Sequence, residues 1–223
     1  MKTKKSLLLF LFVSIIISCK KEAKKEPLKT LTTAEKIANA HGFENFKNVS
    51  NISFTFNVDK DSTHFERSWS WNTKTDAVTL ISKQDTITYN RKSIDSTTIK
   101  ADQSFINDKF WLLAPFQLVW DSGTTITKPT KERTPISNTI LNKITLTYSN
   151  EGGYTPGDAY DFYYDNDYII KEWIYRKGNA KAPSLITTFE NYKNFNGIYI
   201  AEDHIKKEEN WNLNFTNITI DLN

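Results

Sequence analysis

The sequence predicts a mainly β protein of the α+β class, built on antiparallel strands, and three observations carry that prediction. From residue 51 onward apolar and polar residues alternate with a period of two, which sets one face of each strand against an interior and the other toward water. In the second half of the chain, six candidate strands are separated by Asp165-Asn166-Asp167, Lys177-Gly178-Asn179 and Asn194-Phe195-Asn196-Gly197, clusters with the turn chemistry of hairpins. The composition agrees, because 14 Phe, 10 Tyr and 6 Trp against only 7 Gly and 6 Pro suit long strands bearing large side chains.

The chain opens with an address. Residues 1–5 carry three lysines and no acid, and residues 6–17, SLLLFLFVSIII, form an apolar run. This is the charged head and apolar body of a secretory signal, too short for a comfortable membrane span. The run ends in Ile16-Ile17-Ser18-Cys19, and Cys19 is the only cysteine of the 223 residues. That ending resembles the lipobox of bacterial lipoproteins. The resemblance implies cleavage before Cys19, diacylation of its thiol and acylation of the new amino terminus. Each buried methylene adds about 0.8 kcal/mol, so two or three chains hold a protein on a membrane without spanning it. Residues 1–18 are thus expected to be a signal peptide, and 19–31, rich in charges of both signs, a solvated tether. Loss of Lys2, Lys4 and Lys5 makes Lys+Arg equal to Asp+Glu in the mature chain, which argues against a nucleic-acid partner.

Residues 32–223 are expected to form a single domain. Thr32-Thr33-Ala34-Glu35 fits a capping box, with Ala34, Ile37 and Ala38 on one helical face and Gly42 as the stop. A short turn, Phe43 to Val49, leads into the strands. Ile52, Phe54, Phe56 and Val58 mark the inner face of one, and Phe65, Arg67, Trp69 and Trp71 that of the next. Shorter runs follow at 78–82 and 86–91, in an antiparallel meander. Residues 102–113 break the period: Phe105, Ile106, Lys109, Phe110 and Leu113 fit helical spacing, and Pro115 is expected to end that helix. A polar connection with two prolines is expected over 121–139. Strands are then expected at 141–148, 160–164, 168–176, 184–192, 198–207 and 211–222. In the last of these a bulge near Asn217 would reconcile Trp211, Leu213 and Phe215 with Ile218, Ile220 and Leu222.

No catalytic or metal signature is evident. GxSxG, HExxH and a phosphate-binding glycine loop are missing, and His41, His64 and His204, without a second ligand at metal-site spacing, read as ordinary surface residues. Asp158, Asp161, Asp165 and Asp167 lack the order of an EF-hand loop and are read as structural. Neither cofactor nor metal is expected, and no enzymatic activity.

The order of elements, with the stretch Phe189 to Ile205, FENYKNFNGIYIAEDHI, resembles the bacterial lipoprotein-sorting superfamily. That group comprises the periplasmic lipoprotein carrier, its outer-membrane acceptor and many other lipoproteins. The resemblance implies a curved antiparallel sheet or half-open β-barrel, helices plugging its concave side, and a cavity able to hold acyl chains. It departs from the soluble carrier in its lipid anchor and places the protein in the cell envelope, at the outer membrane. The expected function is non-catalytic binding of an apolar or amphipathic ligand, such as the acyl part of a lipid or lipoprotein. The alternative is a scaffold or surface-recognition module with a filled core that binds protein or glycan. Phe65, Trp69, Trp71, Phe110 and Trp111 are the expected ligand-lining residues; Phe65, Trp69, Trp111, Trp173 and Phe189 also read as core. If 102–113 is a lid over empty space, Trp111→Ala should cost less than about 3 kcal/mol.

Overall fold

The computed structural model describes residues 30–223, of which 31–223 form one compact unit. The signal, Cys19 and nearly all of the tether lie outside the described residues. Two antiparallel sheets and three α-helices make up the unit, and the sheets do not close into a barrel.

Helix α1 (Thr33–Ala40) begins with the expected capping box: the Glu35 amide donates to Thr32 Oγ1 at 3.2 Å and the Thr32 amide to Glu35 Oε2 at 2.8 Å. Its buried face is Ala34, Ile37 and Ala38. Gly42 stops it in the left-handed region at φ 89°, where an added Cβ would lie 1.9 Å from the Gly197 carbonyl oxygen. Only glycine admits that approach. A 3-10 turn (Phe43–Asn48) follows.

The first sheet contains β1 (Val49–Lys60), β2 (Thr63–Asn72), β3 (Ala77–Ile81), β4 (Thr86–Asn90), β11 (Glu190–Phe195), β12 (Ile198–Ile205) and β13 (Trp211–Leu222), in the order β11-β12-β13-β1-β2-β3-β4. The chain end therefore pairs with the first strand in the middle of the sheet. Ser53 pairs with Thr219 and Thr55 with Thr216. The extra residue on β13 is accommodated by Asn217, at φ 52°, and this is the bulge that the phase change of the sequence requires. Asn196 and Gly197, both at positive φ, close β11–β12 as a two-residue hairpin turn.

The second sheet contains β5 (Thr124–Ile126), β6 (Thr130–Arg133), β7 (Ile140–Tyr148), β8 (Ala159–Tyr164), β9 (Ile170–Arg176) and β10 (Leu185–Thr188), in the order β10-β9-β8-β7-β5, with β6 also on β7. Both β5 and β6 fall where a plain polar connection was expected. They escape a period-two reading because they are short and polar, and Pro129 and Pro135 confine them to an edge. The expected strand 184–192 is two strands in different sheets, β10 and β11. Phe189 stands at the crossing, its amide still donating to Lys171 of β9 at 2.8 Å.

Between the sheets lie α2 (Ile99–Leu112) and α3 (Ala114–Trp120). The break falls at Leu113 (φ −121°), before Pro115 as expected, but the chain then resumes as a helix with that proline in its first turn, where the missing N–H costs nothing. Toward the first sheet α2 is tightly packed. Phe105 is fully buried, with its ring centroid 5.4 Å from Trp69 and 5.6 Å from Trp71. The buried Asp108 takes two hydrogen bonds of 2.6 Å from Arg67 and one of 2.7 Å from Trp69 Nε1. Burial pushes the Asp108 pKa up and the Arg67 pair pulls it back. An inward arginine on β2, odd in an otherwise apolar face, is thus explained by a helix carboxylate.

Three sequence expectations are overturned by the packing. Phe65 is 48% exposed rather than in the core; it lies toward the end of the β1–β2 hairpin, opposite Val58, with the Arg67 guanidinium over its ring. His41 and His204 are completely buried rather than on the surface, and only His64 remains exposed, bonded to Asp59 at 2.7 Å.

Candidate functional site

Alongside the ring contacts between α2 and the second sheet, a groove stays open. Strands β8 and β9 turn Tyr160, Trp173 and Tyr175 inward, and α2 presents Ile106, Phe110 and Trp111 to them, around a groove of about 500 Å³. The Phe110 ring lies 4.6 Å from Tyr160 and 5.9 Å from Trp173, and Trp111 meets Trp173 edge-on at 4.4 Å. Leu185 of β10 completes the apolar wall.

A second cavity of about 570 Å³ adjoins it and shares Ile106, Phe110, Tyr154 and Thr155. It occupies the open seam of the fold, where the last strands of the two sheets, β4 and β5, fail to meet. Arg91 and Ile94 come from the chain after β4, Lys109 from α2, Gln117 from α3, and Asp121 and Gly123 from the approach to β5. Asp121 accepts a short hydrogen bond from the Tyr148 hydroxyl, and burial raises that hydroxyl's pKa.

The β7–β8 connection straps the boundary between the two cavities. It carries Gly152, Gly153 and Gly157, all at positive φ, in a chain with only 7 glycines. The Tyr154 hydroxyl donates to Asp102 at 2.8 Å. Asp102, fully buried on α2, also accepts from Tyr89 at 3.2 Å and from Arg91 Nε at 2.9 Å.

The expected ligand-lining residues divide. Phe110 and Trp111 line the groove. Trp69 and Trp71 share the inner face of β2, as period two requires, but line neither cavity: they are 1% and 6% exposed and pack on Phe105. Phe65 lines neither cavity. The other groove aromatics, Tyr160, Trp173 and Tyr175, sit on β8 and β9 at alternating positions, a pattern visible in the sequence but indistinguishable there from ordinary core. The glycine cluster at 152–157 is the clearer signal in the sequence, since such a cluster in a glycine-poor β protein marks a specialised loop.

The titratable residues singled out by sequence hold structural posts. His41 Nδ1 donates to the Ile37 carbonyl at 2.8 Å, and its Nε2 faces the Ile170 amide and the Tyr192 hydroxyl. His204 Nδ1 donates to the Thr188 carbonyl at 3.2 Å, between the rings of Trp111 and Phe189. Burial lowers both imidazoles to a pKa of about 4. Asp161 is paired with Arg176 at 3.0 Å, Asp158 accepts from Tyr175 and Gly178, and Asp165 caps its turn through the Asp167 and Ile169 amides. Among the described residues no three His, Cys, Asp or Glu side chains gather as a metal site, and no helix is long and apolar enough to cross a membrane.

Comparison with known proteins yields similarity of shape only. No protein-family profile matches the chain, and no curated protein matches it. Among solved structures, a DUF1329 family protein from Desulfovibrio piger superposes with a TM-score of 0.47 at 9% identity, over 85% of this chain and 92% of that one. A domain from Vibrio parahaemolyticus assigned to outer membrane lipoprotein sorting superposes with a TM-score of 0.44 at 10% identity, over 84% of this chain and 93% of that one. At these values neither likeness fixes a family or an activity.

Proposed function

We propose that the protein is a lipid-anchored component of the cell envelope that binds the apolar part of an amphipathic ligand, without chemical conversion, between α2 and the second sheet. The observation that carries this reading is the open aromatic groove of about 500 Å³ beside Phe110, Trp111, Tyr160 and Trp173. Its size is that of a small-molecule site, and a chain of ten methylenes would gain about 8 kcal/mol on entering it. Association and ordering costs offset much of that gain, so exchange should be reversible, as a carrier or acceptor of acyl chains requires. The Cys19 lipobox supplies the anchor in this reading.

Trp111 and Trp173 in the wall make the test direct. A brominated long-chain alcohol should quench tryptophan fluorescence saturably in the full-length protein, and Phe110→Ala should weaken that quenching at least several-fold. A linear, unsaturable response would rule out the groove as a binding site. For the anchor, Cys19→Ala should leave an uncleaved precursor and abolish incorporation of a clickable fatty acid; equal labelling of wild type and variant would remove the lipoprotein assignment.

A further inference from the structure

We infer that the ligand is an anionic amphiphile whose carboxylate or phosphate head occupies the open-seam cavity, against Lys109, Gln117 and Arg91, while its chain runs past Phe110 into the aromatic groove. This rests on the groove reading above and adds the charge of the ligand to it.

The cavity has a surplus of donors. The Lys109 ammonium makes no hydrogen bond or ion pair among the described residues; it lies over the Trp120 ring at 4.7 Å and the Trp71 ring at 5.9 Å. Gln117, 2% exposed, accepts from Trp120 Nε1 at 2.7 Å through Oε1, while its Nε2 is buried without a partner among the described residues. A buried amide in that state is an unmet demand for an acceptor. The acids around them already have donors of their own. Asp102 accepts from Tyr89, Arg91 and Tyr154, and Asp121 from Tyr148; Glu151 is exposed at the rim. An incoming oxyanion would therefore meet free donors, whereas an incoming cation would have to displace existing ones.

Sequence adjacency joins the head site to the chain site. Lys109 precedes Phe110, and Phe110 lines both cavities. A single extended molecule can therefore place its polar end at the seam and its tail along the second sheet. Burial is the largest influence on Lys109 and lowers its pKa to about 8, with the charges of Asp121, Arg91, Asp102 and Asp76 acting on it more weakly. A bound carboxylate favours the charged ammonium, so affinity for the acid should fall as the pH rises through about 8, while affinity for a neutral ligand stays level.

The experiment compares brominated C16 acid, alcohol and trimethylammonium probes of equal chain length, by quenching in the full-length protein and its Lys109→Met variant. The acid should bind roughly 10-fold more tightly than the alcohol, the scale of one charge-assisted hydrogen bond. Lys109→Met should bind acid and alcohol equally and without pH dependence, with saturable quenching retained as evidence that the groove and the fold persist. Gln117→Glu should reverse the order of acid and trimethylammonium. Equal binding of acid and alcohol in the wild type, a preference that survives Lys109→Met, or tighter binding of the cation would each overturn the inference and leave the groove reading intact. Failure of all three probes would instead remove the groove reading and this one with it. Inorganic phosphate binding as tightly as the acid, with no competition between them, would mean a free-anion site and would also overturn the inference.

Discussion

The two seams between the sheets are built on opposite principles. At the closed seam the chain passes directly from β10 to β11, the Ile205 amide donates to Thr188 Oγ1 at 3.1 Å, and Trp111, Trp173, Phe189, His204 and Phe215 fill the corner with rings. At the open seam no strand crosses; ionic and amide groups, Arg91, Asp102, Lys109 and Gln117, line a cavity instead. The difference teaches where stability and ligand access reside. The aromatic corner contributes through burial, which needs close contact and excludes space. The polar seam tolerates space because water or a ligand head can meet its donors.

The largest effect should come from breaking the closed seam. Trp111 meets Trp173 at 4.4 Å and His204 at 5.2 Å and is 8% exposed, so it is a corner residue as well as a groove wall. Trp111→Ala is expected to cost about 3 to 5 kcal/mol in urea unfolding, more than a lid over empty space would lose. A loss below about 2 kcal/mol would mean that the corner is loosely packed. At the open seam, Asp102→Ala removes the acceptor of three donors, one of them the buried Tyr89 hydroxyl. About 3 kcal/mol is expected, and a neutral result would break the view that this seam is held by polar pairing.

Acid should act through the two buried histidines, His204 in the closed seam and His41 at the end of α1. His41 and His204 are neutral in the fold, with pKa values lowered to about 4 from 6.5. The unfolded chain takes up these protons and the folded one does not, so the stabilising contribution is complete above pH 6.5 and is lost as the pH falls toward 4. At pH 5 that amounts to about 2 kcal/mol per histidine. Exposed His64, its pKa raised by Asp59, acts in the opposite sense. Denaturant titrations at pH 7.5 and 5 measure the net slope, and His204→Gln should remove about half of the buried-histidine part; an unchanged slope would place the sensitivity elsewhere.

Smaller changes sharpen the contrast. Tyr154→Phe unties the strap from Asp102, at a cost of about 1 kcal/mol, and should speed release of the brominated alcohol in stopped-flow quenching. Unchanged release would show that the strap does not control the groove. Phe65→Ser, in the exposed hairpin end, should alter stability by no more than about 0.5 kcal/mol and leave quenching as it was.

The sequence by itself determined what depends on local geometry. The capping box at Thr32, the stop at Gly42, the hairpin turn at Asn196-Gly197, the bulge at Asn217 and the mid-chain helix before Pro115 are all written in residues within a few positions of one another, and each is where the sequence placed it. Tertiary structure decided the rest, because an aromatic at an inward strand position looks the same whether another side chain or a ligand will cover it. It put Phe65, near the end of a hairpin, outside the core, and drew His41 and His204 inside, where backbone carbonyls meet their Nδ1 protons. It split 184–192 between two sheets at Phe189. It also left the Lys109 ammonium and Gln117 Nε2, eight residues apart on different helices, beside one cavity with no acceptor among the described residues. Which donors go unanswered is a property of everything packed around them, and no window of sequence contains it.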